Sequence, residues 1–164
     1  MYKILAYNNK RLYLQSMKNV SIKVGIACDH AGFELKGKII EYLGKQGYTV
    51  KDFGTYSTES MDYPDVAHPL AIAIEKGELD TGVAICGSGN GISMTLNKHQ
   101  GIRAALCWTP ELSKLAREHN DANVLTLPGR FIDVNTALKT VTVFLNTGFE
   151  GGRHLNRVNK IPLR

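Results

Sequence analysis

The chain has 164 residues, 43% of them apolar and 21% charged, one domain's worth of sequence with enough apolar side chains for a full core. No apolar run approaches the ~18 residues of a membrane span, and the opening MYKILAYNNKRLYLQS, with cations and asparagines throughout and no small-residue cleavage site, reads against a secretory signal. The net charge is +5, but residues 1–17 and 151–164 hold seven Lys/Arg and no acid while the body between is net −2, which leaves no basic face for a nucleic-acid duplex.

Residues 22–27 (IKVGIA) read as an apolar strand ending at Cys28-Asp29-His30. Phe33, Leu35, Ile39, Ile40 and Leu43 then recur at helical spacing and predict a helix over 31–46, stopped by Gly47. Residues 48–53 read as a second strand. A polar loop over 54–60 leads to Asp62-Tyr63-Pro64-Asp65, a helix entry with proline near the first turn, and a half-buried helix follows over 66–76. Residues 81–86 (TGVAIC) are a third strand, apolar on both faces, with the glycine-rich GSGNG directly after it. A helix over 92–98, a strand over 103–107, a helix over 110–120, a strand over 124–127 and a helix over 134–146 complete the series. Five strand–helix repeats with doubly buried strands predict an α/β fold: a three-layer αβα sandwich around a five-stranded parallel, Rossmann-like sheet. Residues 150–164 show neither period, so a partner subunit or a bound anion is expected to order that tail.

Ligands of an open parallel sheet sit beyond the carboxyl ends of its strands. That rule selects Cys28-Asp29-His30, residues 86–91 and Cys107, with His119-Asn120 one turn before the next strand, and the function is expected from this rim. Gly87, Gly89 and Gly91 expose backbone N–H groups at a strand end, either as an anion nest or as a tight strand-to-helix turn. The G-x-G-x-G spacing misses the dinucleotide pattern, the P-loop lysine is absent, and Ile92 stands where a Cys-x5-Arg phosphatase needs arginine. Cys86 near a helix N-terminus should have its thiol pKa pulled below the usual ~8.5. Such a thiolate is a nucleophile or a base, beside donors that would stabilise an enediolate; a buried structural cysteine is the alternative.

A metal reading of Cys28, Asp29 and His30 with His68, His99 or His119 has no C-x2-C or H-x3-H spacing behind it, so no metal site is expected. Three cysteines without paired spacing fit free thiols in a reducing cytoplasm. Asp29 is a helix cap or a ligand, and His30 a neutral core histidine or a cation facing a phosphate. His119-Asn120-Asp121 suits a helix C-terminal stop. Arg153 and Arg157, four apart, could grip one phosphate if that stretch is helical; a solvated tail is the competing view.

Together, GIACDHAGFELK, DYPD, ICGSGNGIS, REHNDANVL and EGGRHLNRV, in this order, resemble the type B ribose-5-phosphate isomerases, in the family that includes the galactose-6-phosphate isomerase subunits. The resemblance runs from about residue 22 to residue 158. It implies a cytoplasmic aldose–ketose isomerase without metal or other cofactor, a homodimer or dimer of dimers with shared active sites, that interconverts ribose 5-phosphate and ribulose 5-phosphate through a cis-enediolate in the pentose phosphate pathway. By this resemblance Cys86 is the proton-transfer base. Some members use instead a Glu at the position of Asn90. Gly87, Ser88, Gly89, Asn90 and Gly91 correspond to the enediolate nest, with Ser88 a hydroxyl partner of the sugar oxygens. His119 corresponds to the acid that opens the furanose ring, helped by Asp29, and Asn120 to a sugar ligand. His30, Arg130, Arg153 and Arg157 correspond to phosphate and sugar ligands, some from the neighbouring subunit, and Tyr63 lines the pocket. The rival readings are an isomerase of allose 6-phosphate or galactose 6-phosphate and a non-catalytic sugar-phosphate-binding protein. Family chains begin close to Met17, so residues 1–16 are expected to be an extension, or the product of an upstream start, on a single domain over 17–164.

Overall fold

The computed structural model describes residues 22–163; the extension expected over 1–16 and the start at Met17 lie outside them. Five parallel strands form one sheet: β1 (Lys23–Cys28), β2 (Thr49–Asp52), β3 (Thr81–Cys86), β4 (Ala104–Leu106) and β5 (Val124–Pro128), in the order β2-β1-β3-β5-β4. Six helices accompany them: α1 (Phe33–Lys45), α2 (Pro64–Glu75), α3 (Asn90–Leu96), α4 (Pro110–Asn120), α5 (Val134–Asn146) and α6 (Arg153–Val158). Because strand side chains alternate, Val24, Ile26, Val83, Ile85, Leu125 and Leu127 face one layer, where Leu35, Ile39 and Leu43 of α1, Ala116 of α4 and Phe144 of α5 cover them. Ala27, Ala84, Cys86 and Val124 face the other layer, against Leu70 of α2 and Ile92 and Leu96 of α3. Each fully buried aliphatic side chain contributes about 1.5–3 kcal/mol, so both layers are firmly held. The expected three-layer sandwich is the observed fold.

Most element boundaries lie within one or two residues of the sequence reading, and two of the differences bear on the site. α3 begins at Asn90 rather than 92, because Gly89 takes φ 76° and the helix starts from it; any L residue at Gly89 would also meet Leu106 Cδ1 at 2.4 Å. The tail, expected to be ordered by a partner subunit or a bound anion, has a support within the chain. It contains α6, which α4 holds: Glu150 N–H donates to the Glu118 carbonyl at 3.0 Å, and His154 and Val158 are buried. Six residues are too few for a periodic signal, and one of the two buried groups is a histidine.

Among the described residues no helix is long and apolar enough to cross a membrane.

Candidate active site

The register brings the three central strands to a common end. Cys28 of β1 pairs with Ile85, and Cys86 of β3 pairs with Pro128 of β5. Asp29 N–H donates to the Ile85 carbonyl at 3.1 Å, so the acid stands beside Cys86. Gly129 N–H donates to the Cys86 carbonyl (2.9 Å) and Arg130 N–H to the Gly87 carbonyl (3.0 Å). These bonds lock the chain after β5 against the turn after β3. The Arg130 side chain then runs over Gly87, its Cδ 3.6 Å from where a Cβ would stand there.

Cys86 is 4% exposed and its side chain faces the α2/α3 layer, the side from which α3 begins. The first N–H groups of a helix have no acceptor within it, and those of Gly91 and Ile92 open α3 next to this sulfur's strand. Ser88 and Asn90 are exposed, with the Ser88 hydroxyl accepting from Asn90 N–H and Nδ2 at 3.4 Å each. Tyr63, which precedes α2, packs so closely on Gly91 that a Cβ there would lie 2.8 Å from its hydroxyl oxygen. Asp29 is 6% exposed and caps the following 3-10 turn, Oδ1 accepting from Ala31 N–H (2.9 Å) and Gly32 N–H (3.3 Å). Its capping reading holds, and Oδ2 is left without a protein partner among the described residues. Met61 N–H donates to His30 Nδ1 at 3.3 Å, which puts the neutral ring's proton on Nε2. The structure therefore brings together Asp29, His30, Tyr63, Cys86, residues 87–91 and Arg130.

It does not bring His119 and Asn120 to that rim. They end α4, which runs back from β4 to the amino-terminal edge of the sheet. Two residues after His119, Asp121 binds Arg103, which immediately precedes β4 (carbonyl from Nε 2.8 Å, Oδ2 from a terminal nitrogen 3.0 Å), and the Asn123 carbonyl accepts from Oγ1 of Thr81, the first residue of β3. From Thr81 to Cys86 is about 16 Å of strand. One chain thus carries two separate groups of candidate residues, at opposite ends of its sheet.

The second group gains a member that the sequence reading did not single out. His154 stacks flat on His119, ring centroids 4.3 Å apart and planes 4° from parallel. Its signal was present only as the histidine between Arg153 and Arg157. At 7% exposure, His154 has its pKa lowered, first by burial and then by the positive charge of His119, Arg153 and Arg157. Arg153 and Arg157 stand exposed one turn apart on α6, as the spacing suggested. Glu150 lies 4.0 Å from His119 Nε2, and His119, Glu150 and His154 offer ligand atoms within 4.8 Å of one another. An ion bound to both imidazoles would have to lie in both ring planes, and parallel planes do not meet. As stacked, these residues are not a metal-ligand set.

A cleft of about 440 Å³ at the same end of the sheet is lined by Thr81, Arg103, Arg117, Asp121 and Phe144. Asp121 already pairs both arginines, at 3.0 and 2.9 Å, so among the described residues the cleft offers no free cation.

Burial pushes the thiols of the other two cysteines from 9.0 up to about 11; at Cys28 nearby Lys36 opposes the shift without cancelling it. Neutral thiols react poorly. Mass spectrometry of folded protein treated with iodoacetamide at neutral pH should therefore find Cys86 modified first and Cys28 and Cys107 only after unfolding. A Cys28 or Cys107 adduct preceding the Cys86 adduct would contradict this placement. The same shift has a stability consequence. The unfolded chain releases these protons near pH 9 and the folded chain only near 11, so stability should fall as pH rises between those values.

Comparison with known proteins places these residues in a family. The ribose/galactose isomerase family model matches residues 24–161. The chain is 45% identical over 139 residues to ribose-5-phosphate isomerase B of Escherichia coli, covering 85% of this chain and 93% of that protein. Among solved structures, ribose 5-phosphate isomerase of Thermotoga maritima superposes with a TM-score of 0.85 at 50% identity, over 86% of this chain and 97% of that one. Ribose-5-phosphate isomerase B of Mycoplasma genitalium, solved with bound ribulose 5-phosphate, superposes with a TM-score of 0.83 at 41% identity, over 86% of this chain and 94% of that one. The chain belongs to the ribose/galactose isomerase family.

Proposed function

We propose that this protein interconverts ribose 5-phosphate and ribulose 5-phosphate. The observation that carries the chemistry is Cys86 at the end of β3, level with Asp29 and beside the turn whose N–H groups open α3. The Cys86 thiolate takes the proton from C2 of the open-chain aldose, the C–H electron pair forms the C1–C2 double bond, and the carbonyl oxygen gathers negative charge. Backbone N–H groups of residues 87–91 stabilise that oxygen in the cis-enediolate. Returning the proton to C1, with the O2 proton passing to O1, gives the ketose, so no redox partner is needed.

Ring opening is assigned to His119, with Asn120 as a sugar ligand and Arg153 and Arg157 on the phosphate. Since a chain's own His119 lies at the far end of its sheet, these groups come from a second copy, and the working unit is at least a homodimer. Asp29 Oδ2, His30 and Arg130 complete the sugar and phosphate contacts from the first copy. The named activities of the relatives support this substrate, and a cytoplasmic location suits both the substrate and the three unpaired thiols.

A direct test compares turnover of ribose 5-phosphate, allose 6-phosphate and galactose 6-phosphate, with and without chelator. Ribose 5-phosphate should lead by at least about tenfold in kcat/KM, unchanged by chelator. A six-carbon substrate in front would reassign the pocket, and no turnover of any of them would leave only a sugar-phosphate-binding protein.

A further inference from the structure

The geometry points to Lys36 as a positioning residue for Asp29 and His30, an inference that rests on the reading above. Lys36 lies on α1, outside the rim, and its side chain is only 3% exposed. An ammonium out of water needs an acceptor for each of its three protons. Lys36 has them: Asp52 Oδ1 and Oδ2 at 2.7 Å each and the Thr55 carbonyl at 2.6 Å, with the Tyr56 ring 5.0 Å away.

What those bonds hold is the loop that leaves β2. Asp52 Oδ1 also accepts from Gly54 N–H at 2.9 Å. The Gly54 carbonyl accepts from Cys28 N–H, and Thr55 N–H donates to the Cys28 carbonyl, both at 2.7 Å. Both peptide groups of the last β1 residue before Asp29 are thus closed by a loop segment that Lys36 anchors. On the other side Asp29 is fixed by Ile85 of β3. Farther along, the same loop reaches Met61, whose N–H fixes the His30 tautomer. The charge pair sits at the root of the loop, and the two groups it sets are those proposed to face the sugar and its phosphate. Without the pair, residues 53–61 lose their tie to α1, and the Asp29 carboxylate and the His30 ring lose their common reference.

The experiment uses the full chain carrying Lys36→Met and Asp52→Asn together, which removes both charges and so leaves no unpaired buried ion. Three readouts are compared with wild type: kcat and KM for ribose 5-phosphate, the ¹⁵N signals of the His30 ring, and the melting temperature. Arg130, Arg153 and Arg157 are untouched while His30 loses its place, so KM should rise no more than about tenfold and kcat should fall roughly 10- to 100-fold, the usual loss when groups that orient the substrate are displaced by about an ångström. The His30 Nδ1 signal should lose its unprotonated, single-tautomer position. Lys36→Arg, which keeps charge and donors, should recover part of kcat. A residue serving stability alone would lower the melting temperature and leave the folded protein's kcat and His30 signals unmoved. A folded double variant with kcat within about twofold of wild type and unchanged His30 signals would therefore overturn the assignment. If the double variant does not fold, Asp52→Asn alone, which keeps the acceptor for Gly54 N–H, is read by the same criteria. A wild-type chain without isomerase turnover would instead sink the functional reading, and the His30 signals would still decide the positioning.

Discussion

Replacing Cys86 with alanine should lower kcat by at least about 10³-fold while leaving the affinity for a sugar phosphate within a few fold of wild type. A positioned base accounts for roughly 10²–10⁴ in rate, and here no second base stands at the position of the sulfur: the family alternative, a carboxylate at position 90, is Asn90. A 10³-fold loss is about 4 kcal/mol of transition-state stabilisation. Binding should survive because the Cys86 side chain holds none of the arginines proposed to grip the phosphate: Arg153 and Arg157 lie on α6, and Arg130 is set by backbone hydrogen bonds that alanine keeps. The fold should survive as well. Alanine removes one atom from a site facing Ile92 and Leu96, a small cavity costing on the order of 1 kcal/mol. Steady-state kinetics with a parallel phosphate-binding titration separates the two effects. Near-native turnover by the variant would take the sulfur out of the mechanism.

How much of this was legible beforehand differs by element. β3, α4 and α5 have the boundaries their hydrophobic patterns predict, because each has one long buried face and a clear stop: Cys86 before glycine, Pro110 after the Thr109 cap, Asp133 capping α5. The start of α3 was misplaced because glycines obscure a period, and α6 was missed for its brevity. The rim residues from 28–30 and 86–91 are contiguous motifs at strand ends, so position in the chain already implies position in the fold. His119 is different. Its motif is as plain as the others, yet its place at the opposite end of the sheet follows from the direction of α4, a topological fact no local pattern carries. His154 and Lys36 were invisible as functional candidates for a related reason: each gains its role from a partner far off in sequence, His119 in one case and Asp52 with Thr55 in the other.

That separation makes the shared site the central claim, and it predicts complementation. Cys86→Ala and His119→Asn chains should each be nearly inactive as homodimers. A heterodimer of one of each carries one site with both residues intact and one with neither. It should recover about half of wild-type activity per dimer, a gain of order 10²-fold or more over either parent. The measurement is direct: co-express the two variants with different affinity tags, purify the heterodimer through both tags, confirm its composition by native mass spectrometry, and assay ribose 5-phosphate turnover. About half of wild-type activity means that the sulfur and the imidazole of each working site come from different chains. A verified heterodimer no more active than its parents would contradict the account.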